Sequence, residues 1–510
     1  MSLGLWLHPA NVADCGRAFL ARVDRARNGH TRLAGHAAAI IEAGIDRTWN
    51  GRSFTASPGW FHTFWVRDMC FSSVALERLG GRHRRRLVAS LARALTGWER
   101  HGSHITPTFH PGGYPADVYA YGIDSLPFFL AALRAVGADG DALVARHRAW
   151  LGVEVERFAA LVVDPATGLQ RSDRTFSAHR DTVTNRSNAY GNSMIALLSR
   201  TLATKPEWGL HDPLARHFPG GDFARLLLEH FWMPARGCFR DALGSDETTG
   251  EANVWPFWTG AVDCPVMLAI ALATLSREGF CDPHPLRYTT RPKPTSEVWL
   301  VRHFLPDYQG SSVWTSIGAI YLALLRTVDP ERAAAETARY AAWIERDGTY
   351  WEVLGADGAC WRGRGGLMLG EESMLWGAIF LDHLRSPVAP AARLAWSPPR
   401  RLGGGHSREG HPPQWIVIAG TLSPRRSPSS TASRRDRGQK LALARAAFST
   451  ATAASVRDLP VDGSNLAGSS EAAGGADVTE AEAIDRLSTI EVRIGLYEAA
   501  SGRLTDRLTT

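Results

Sequence analysis

The sequence predicts an all-α fold, a single toroid of paired helices, followed by a largely disordered C-terminal tail. Between about residues 34 and 384, apolar residues recur at helical spacing, and each run stops at Gly or Pro before an aromatic and polar loop. Strand-like alternation is sparse in this region. Beyond residue 386, prolines and Ser/Arg runs replace the periodic pattern. These observations predict one helical domain and a tail of different character.

The periodic runs predict the helices in chain order. Several runs are rich in small residues, which let helices approach closely. About a dozen helices over roughly 350 residues fit one toroid better than several separate bundles, given the usual size of domains. The predicted helices cover residues 33–45, 69–79, 87–98, 125–136, 142–161, 188–202, 223–231, 259–276, 312–327, 330–345 and 373–384.

The tail is predicted as a separate region, residues 387–510, after a helical domain that covers residues 1–386. It contains many Pro, Gly, Ser and Arg residues, and beyond Trp415 its only aromatic residues are Phe448 and Tyr497. Such a composition buries too little apolar surface to offset the entropy of ordering the chain. We therefore expect the tail to be mostly disordered and to take no part in a functional site.

Composition and charge exclude several classes of protein. Hydrophobic residues make up 45% and charged residues 21% of the chain, as in soluble globular proteins. The net charge of +6 is modest and much arginine lies in local runs, such as residues 82–86, so no nucleic-acid partner is expected. No apolar run approaches the roughly 20 residues that cross a membrane. Residues 1–7 lack the features of a signal peptide.

The six cysteines point to a reducing compartment. They are isolated along the chain and have no paired metal-ligand spacing, and no His/Asp/Glu cluster has such spacing either. We therefore expect a cytoplasmic protein with reduced thiols, no metal and no cofactor.

Two acidic residues far apart in the chain, Asp181 and Glu352, lie in segments crowded with aromatic, glycine and amide residues. Aromatic rings stack on pyranose faces, amides bind hydroxyl groups, and carboxyl groups transfer protons. The 18 tryptophans of the chain supply many stacking surfaces. The pair predicts glycoside cleavage. The neighbouring Arg180 instead favours an ionised, ion-paired Asp181, whereas a general acid needs burial that raises its pKa.

Other segments hold candidate substrate-binding residues. Each also has a structural interpretation: a buried ion pair for Arg67 and Asp68, a helix cap for Asp124, and helix-end packing for the tryptophans. Glu371 opens the last predicted helix, where a carboxylate stabilises the helix dipole, and is the alternative to Glu352 as the catalytic base. The candidates are Trp65, Arg67, Asp68, Tyr121, Asp124, Trp255, Trp314, Trp351 and Glu371.

Taken in order over about residues 50–385, these segments resemble the six-hairpin glycosidases. This superfamily includes glucoamylase, trehalase, the neutral and alkaline invertases, the processing α-glucosidases and the amylo-α-1,6-glucosidase part of glycogen-debranching enzymes. The matching segments are Trp65-Val66-Arg67-Asp68, Tyr121-Gly122-Ile123-Asp124-Ser125-Leu126-Pro127, Arg180-Asp181-Thr182, Val254-Trp255-Pro256 and the region around Glu352. The resemblance implies an (α/α)6 toroid that binds and hydrolyses a carbohydrate.

The resemblance also implies roles for individual residues. Arg67 and Asp68 would hold the non-reducing sugar, Asp181 would be the general acid and Glu352 the general base. Such enzymes invert the anomeric configuration, with carboxyl groups about 6.5–9.5 Å apart. An α-linked glucoside is the expected substrate, and no metal or cofactor is required.

Two other functions fit the same predicted toroid. It can host a sugar epimerase, isomerase or phosphorylase, in which case histidines in the loops, such as His62, His110 and His179, would carry the chemistry. It can also be a non-catalytic carbohydrate-binding protein, in which case Asp181 and Glu352 would not face one cavity. Release of an inverted monosaccharide in water, independent of phosphate, distinguishes hydrolysis from both.

Overall fold

The computed structural model describes residues 9–118, 120–181, 183, 186–214, 222–292, 303, 305–366, 368–386, 496–498 and 503–505. The chain divides into two units, Met1–Arg400 and Arg401–Thr510. In the second unit the described residues form an antiparallel pair of strands, Leu496–Glu498 and Arg503–Thr505. The rest of the tail, residues 387–495, 499–502 and 506–510, lies outside the described residues, so its disorder stays a prediction.

Helices dominate the first unit, which confirms the predicted helical class. The α-helices are α1 (Pro9–Asn28), α2 (Ala37–Arg47), α3 (Val66–Phe71), α4 (Ser73–Leu79), α5 (Gly81–Arg100), α6 (Ser125–Ala135), α7 (Ala138–Val162), α8 (Ala189–Thr204), α9 (Phe223–Phe231), α10 (Trp255–Trp258), α11 (Pro265–Arg277), α12 (Thr315–Val328), α13 (Pro330–Asp347) and α14 (Gly377–Arg385). Short 3-10 helices cover Pro206–Trp208 and Glu251–Asn253.

Each predicted helix overlaps a helix among α2 to α14, with ends that differ by up to six residues. The predicted helix 69–79 begins earlier and divides at Ser72 into α3 and α4. The predicted helix 259–276 begins only at Pro265, because proline is favoured in the first turn and cannot continue a preceding helix. The short helix α10 and the long helix α1 were not predicted.

The helices pack in two sets. One set forms a closed series of contacts: α14 packs against α4, α3 and α4 pack against α6, α6 against α8, α8 against α10, α10 against α12, and α12 against α14. The other set packs on these: α2 on α14, α5 on α4, α7 on α6, α9 on α8, and α11 and α13 on α12. Both sets share one continuous apolar core, to which fully buried Leu76, Leu126, Leu198, Ile317 and Leu381 belong.

Short strands lie at the ends of the helices and position the loops that follow. β1 (Phe64–Trp65), β2 (Thr108–Phe109) and β3 (Pro115–Ala116) form one antiparallel sheet, and β1 leads directly into α3. β4 (Trp232–Met233) pairs with β5 (Cys238–Phe239). β6 (Val313–Trp314) leads directly into α12 and pairs with β7 (Val353–Leu354). The predicted site residues lie on or beside these loops.

Two general features of the described residues complete the fold. None of the helices in the described part of the chain is both long and apolar enough to span a membrane. The six cysteines, all within this part, are free thiols.

Candidate active site

Arg67 joins two of the predicted acidic residues. Its guanidinium lies at the start of α3 and donates from Nε to Asp124 Oδ2 over 2.7 Å and from Nη2 to Asp124 Oδ1 over 3.3 Å. The remaining terminal nitrogen, Nη1, donates to Asp181 Oδ2 over 2.7 Å. Such charge-assisted hydrogen bonds are stronger and more directional than neutral ones. One buried cation therefore holds carboxylates from two loops.

The two loops meet because their backbones pair. Gly122 and Ser177 form a parallel bridge, in which the Ser177 amide donates to the Tyr121 carbonyl and the Ile123 amide to the Ser177 carbonyl, both over 3.0 Å. This bridge brings Asp124 beside the Ser177 segment, four residues before Asp181. Ser177 Oγ then donates to Asp181 Oδ1 over 2.7 Å. Local pairing of these segments thus fixes both oxygens of Asp181.

Asp124 does not cap its helix, although it occupies the N-cap position of α6. Its side chain makes no capping hydrogen bond and is fully buried. It accepts instead from Arg67 and from the Tyr190 hydroxyl, which lies 2.6 Å from Oδ2. The structure therefore replaces the capping interpretation with a buried ion pair.

Asp181 lies in an environment that favours its protonated form. Burial raises its pKa above the ordinary value, while Arg67 and the Ser177 hydroxyl act in the opposite direction. Its side chain retains 21% exposure, so it is open to one side. Arg180 is directed elsewhere: Nε donates to Glu251 Oε1 over 2.5 Å and Nη2 to Asp241 Oδ2 over 2.8 Å. The charged partner of Asp181 is therefore Arg67, not its neighbour in sequence.

Glu352 is held immediately before β7. Its amide donates to the Glu371 carbonyl over 2.7 Å, and the Glu371 amide donates back to Glu352 Oε2 over 3.0 Å. The Tyr308 hydroxyl donates to the other oxygen, Oε1. Burial raises the pKa of Glu352 to about 7, the hydrogen bonds from Tyr308 and Glu371 lower it, and the charge of Glu371 raises it. This carboxyl can exchange a proton near neutral pH.

Asp68 connects the two acidic groups electrostatically. It is buried next to Arg67, and burial raises its pKa to about 7 against the attraction of Arg67. The charges of Glu352 and Asp181 both raise this pKa further. Asp68 is therefore within electrostatic range of both predicted catalytic residues, which lie 171 positions apart in the chain.

Glu371, the alternative catalytic base, is already occupied by other protein groups. Arg25 Nη1 donates to Oε1 over 2.8 Å, and Ser57 Oγ donates to Oε2 over 3.0 Å. A methyl group at Gly59 would lie 2.6 Å from Oε2, so the loop also packs closely against this carboxylate. Burial raises the pKa of Glu371. Its observed contacts are those of an ion pair with α1.

The aromatic residues that were predicted to bind substrate differ in their exposure to solvent. Trp65 and Tyr121 are partly exposed, with ring neighbours Phe61 at 5.5 Å and His104 at 5.2 Å, respectively. The other three tryptophans are buried among protein groups. Trp255 packs in a ring cluster with Phe71, Phe128, His179 and Tyr190, Trp314 donates to the Tyr308 carbonyl over 2.6 Å, and Trp351 donates to Asp347 Oδ2 over 2.8 Å.

Helix α1 reaches this end of the molecule with two arginines. Arg25 binds Glu371 and the Gly370 carbonyl, and Arg22 stacks on the Trp60 ring. Beside α1 lies a cavity of about 380 Å³, which Arg25, His30 and Trp351 line together with residues of the 346–369 segment. Asp181 and Glu352 do not line this cavity. Trp351 thus faces the cavity beside α1, while Glu352, the next residue, faces Tyr308.

Several residues of the site were missed by the sequence analysis. Tyr308 and Ser177 bind Glu352 and Asp181 directly, and Tyr190 binds Asp124. Tyr190 lies in the amide-rich segment after Asp181, so an aromatic residue with a hydroxyl group at this position could have been predicted as part of the site. Ser177 and Tyr308 lie in no distinctive sequence pattern. In the described part of the chain, no group of three or more His, Cys, Asp or Glu residues is arranged to hold a metal ion.

Comparisons with known proteins rest on structure. No family model and no curated protein matches the chain by sequence. By structure, it is similar to a rhamnosidase from Klebsiella oxytoca with rhamnose bound, with a TM-score of 0.50 and 12% identity over 68% of this chain. The match covers 63% of that rhamnosidase, so the chain spans less than two thirds of its length.

Two other solved structures are similar to the chain. A wild-type glycosidase gives a TM-score of 0.47 and 16% identity, over 71% of this chain and 96% of that one. The GH63 mannosylglycerate hydrolase from Thermus thermophilus, in complex with Tris, gives 0.46 and 15%, over 68% of this chain and all of that one. The fold of the chain is therefore similar to that of a solved glycosidase, as the resemblance in sequence implied.

Proposed function

We propose that the chain is an inverting glycoside hydrolase with an (α/α)6 toroid, in which Asp181 is the general acid and Glu352 the general base. The main support is geometric, because the consecutive residues Tyr308 and Gln309 bind Glu352 Oε1 and the His179 carbonyl, two residues before Asp181. The charges of both carboxyl groups also act on buried Asp68. The closed series of helix contacts and the glycosidase fold of the structural neighbours support the toroid.

The chemistry follows from the two environments. In the proposed step Asp181 acts in its protonated form, which burial favours, and donates its proton to the glycosidic oxygen as the bond from this oxygen to the anomeric carbon breaks. Glu352, ionised, accepts a proton from the water whose oxygen forms the new bond to that carbon from the opposite face. Inversion requires the carboxyl groups to stand about 6.5–9.5 Å apart, which leaves room for this water.

The remaining predicted residues position the sugar in this proposal. Asp68 binds hydroxyl groups directly, and Arg67 and Asp124 hold the acid loop in place. Trp65 and Tyr121, the partly exposed rings, are the stacking surfaces. Trp255, Trp314, Trp351 and Glu371 support the site through their contacts with protein groups. The substrate is a small glycoside or an oligosaccharide, with an α-linked glucoside as the first to test.

The test is a substrate screen with purified full-length protein. Candidates are α-linked disaccharides, maltooligosaccharides and glycosylated compatible solutes, and proton NMR of the fresh product gives its anomeric configuration. We expect an inverted monosaccharide without added phosphate. Each of Asp181→Asn and Glu352→Gln should lower kcat by about 10²–10⁴-fold.

The matched control is Asp173→Asn, because Asp173 is an exposed carboxylate whose ion pairs within the described residues are with Arg171 and Arg174 of its own loop. It should leave kcat unchanged. A retained anomer, or variants of Asp181 and Glu352 that are as active as the control, would refute the mechanism. A strict need for phosphate would indicate a phosphorylase, and sugar binding without any turnover would indicate a binding protein.

A further inference from the structure

One short loop contacts both segments that carry the proposed catalytic residues. Tyr308 and Gln309 are consecutive residues of the 305–312 loop. The Tyr308 hydroxyl donates to Glu352 Oε1, and Gln309 Nε2 donates to the carbonyl of His179 over 3.1 Å, two residues before Asp181. Gln309 is buried, so its amide is not a surface contact. Adjacent side chains therefore connect the base to the loop of the acid.

The loop is itself firmly held. Asp307 has a φ of +60°, a conformation that residues other than glycine seldom adopt. Its carboxylate accepts from the Ser311 amide over 2.7 Å, which closes the turn. The Tyr308 carbonyl accepts from Trp314 Nε1 over 2.6 Å and from Ser312 Oγ over 2.5 Å. A strained residue kept in place by several hydrogen bonds is typical of a loop with a positioning role.

The Tyr308 ring also packs against two tryptophan rings. Its centroid lies 5.0 Å from the Trp314 ring and 4.9 Å from the Trp361 ring. Trp314 belongs to β6, which pairs with β7 directly after Glu352. The 305–312 loop and Glu352 therefore directly precede the two paired strands, β6 and β7. Movement of the loop away from Glu352 would break ring packing and backbone pairing together.

We infer that Tyr308 and Gln309 act together as positioning residues that set the separation between the Asp181 and Glu352 carboxyl groups. The catalytic part of this inference rests on the proposed function. Inversion depends on this separation because one water molecule must fit between the base and the anomeric carbon. A misplacement of about 1 Å can lower a rate by about 10²-fold. Neither side chain needs to touch the substrate for such an effect.

The two residues should have distinguishable effects. Tyr308 donates to Glu352, so it favours the ionised carboxylate and opposes the increase of the pKa that burial causes. Its loss should move the acidic limb of the kcat profile to higher pH. Gln309 binds the other segment, through the backbone carbonyl of His179. Its loss should lower kcat without moving that limb.

The experiment compares Tyr308→Phe and Gln309→Leu with a matched control, Tyr321→Phe. Tyr321, on α12, is fully buried, and its hydroxyl accepts from Arg332 of α13 over 2.9 Å and also contacts Cys281. Both site variants should lower kcat at least about 10-fold with KM nearly unchanged, and the control should change neither. Equal kcat in Gln309→Leu and the control would overturn the inference, as would an acidic limb that does not move in Tyr308→Phe.

A second measurement does not depend on turnover. Crystal structures of the wild-type protein and of Gln309→Leu give the separation of the two carboxyl groups directly. We expect this separation to change by more than about 0.5 Å, the tolerance of a productive site. An unchanged separation contradicts the inference even if the protein is an active hydrolase. A changed separation in a protein that cleaves no glycoside leaves the positioning role standing and rejects the proposed function instead.

Discussion

Arg67 donates to Asp181 over 2.7 Å although 114 residues separate them in the chain. The same guanidinium binds Asp124 through two other nitrogens, so it connects α3, the start of α6 and the loop before α8. Asp124 is fully buried and Arg67 nearly so. Arg67 and its partner Asp124 therefore link three segments of the chain. The same guanidinium directly supports Asp181, the proposed general acid.

Removal of Arg67 should destabilise the fold strongly. Arg67→Ala leaves the buried Asp124 carboxylate without its charged partner, and loss of one member of a buried pair typically costs about 3–5 kcal/mol. Arg67→Lys should recover only part of this loss, because an ammonium group cannot bind two carboxylates with the planar geometry of a guanidinium. The measurement is the free energy of unfolding from urea denaturation.

The control for this experiment is Arg78→Ala. Arg78 pairs with Asp382, but its side chain is 62% exposed. Exposed ion pairs typically contribute about 0–1 kcal/mol. If Arg67→Ala costs no more than Arg78→Ala, the proposed anchoring role of Arg67 is wrong.

The stability of the protein should fall as pH rises from about 4.5 to about 7, in part because of Glu352. Burial raises the pKa of this group from 4.5 to about 7. Between these values the folded protein keeps a proton that the unfolded chain has released, so deprotonation favours unfolding. The shift corresponds to roughly 3 kcal/mol. The contribution is absent below pH 4.5 and constant above pH 7.

Glu352→Gln removes this contribution and also the part of the Asp68 pKa increase that the Glu352 charge causes, while buried Asp68 and Glu251, whose pKa values burial also raises to about 7, remain in the variant. The free energy of unfolding should decrease less between pH 4.5 and 7 in Glu352→Gln than in the wild-type protein. Glu331→Gln, a change on the exposed first turn of α13, should leave the wild-type slope intact. Identical slopes in the two variants would show that Glu352 titrates normally.

Sequence reasoning predicted the helices whose apolar face is buried. The predicted helix 223–231 matches α9 at both ends, and 125–136 matches α6 to within one residue. Helix α1 gave no such signal, because Val12, Phe19 and Leu20 are exposed rather than packed into the core. Ionic contacts of Arg25 with Glu371, rather than an apolar stripe, attach it, and these contacts join residues 346 positions apart.

The site shows the same division between local pattern and long-range contact. The acidic residues were recognisable by their aromatic and amide neighbours, but their binding partners were not. Arg180 adjoins Asp181 in sequence, yet it binds Glu251 and Asp241, while Arg67 binds Asp181. Arg180 and Asp181 lie at a turn in a loop, where adjacency in sequence does not predict which side chains come into contact.

Helix α1 should lose protection from hydrogen exchange when its ionic attachment is removed. Arg25 binds Glu371 and the Gly370 carbonyl, and few buried apolar contacts accompany this link. Helices held mainly by such contacts open at low free-energy cost. Arg25→Ala should therefore speed amide exchange in peptides that cover residues 9–28. Arg17→Ala is the control, because Arg17 is exposed and pairs with Asp14 inside α1. Equal exchange in both variants would contradict the attachment.

Two glycines of α7 should respond in opposite directions to alanine. A methyl group at Gly140 would lie 1.8 Å from the Leu133 carbonyl oxygen of α6, a backbone atom that cannot rotate away. Gly140→Ala should therefore separate α6 from α7 and destabilise the protein by about 1–3 kcal/mol, as overpacking does. Gly152 has no heavy atom within 4 Å of the added methyl group. Gly152→Ala should stabilise the helix by about 0.5–1 kcal/mol, because alanine loses less backbone entropy.

Thermal unfolding of the two variants measures this difference, since both changes add one methyl group to the same helix. The melting temperature should fall for Gly140→Ala and rise for Gly152→Ala. A fall of equal size in both would mean that α7 does not tolerate alanine for reasons intrinsic to the helix. A rise in both would mean that α7 at Gly140 lies farther from Leu133 than the structure shows, where the added methyl group would be 1.8 Å from the Leu133 carbonyl oxygen. Only opposite signs support the close contact between the C-terminal end of α6 and the start of α7.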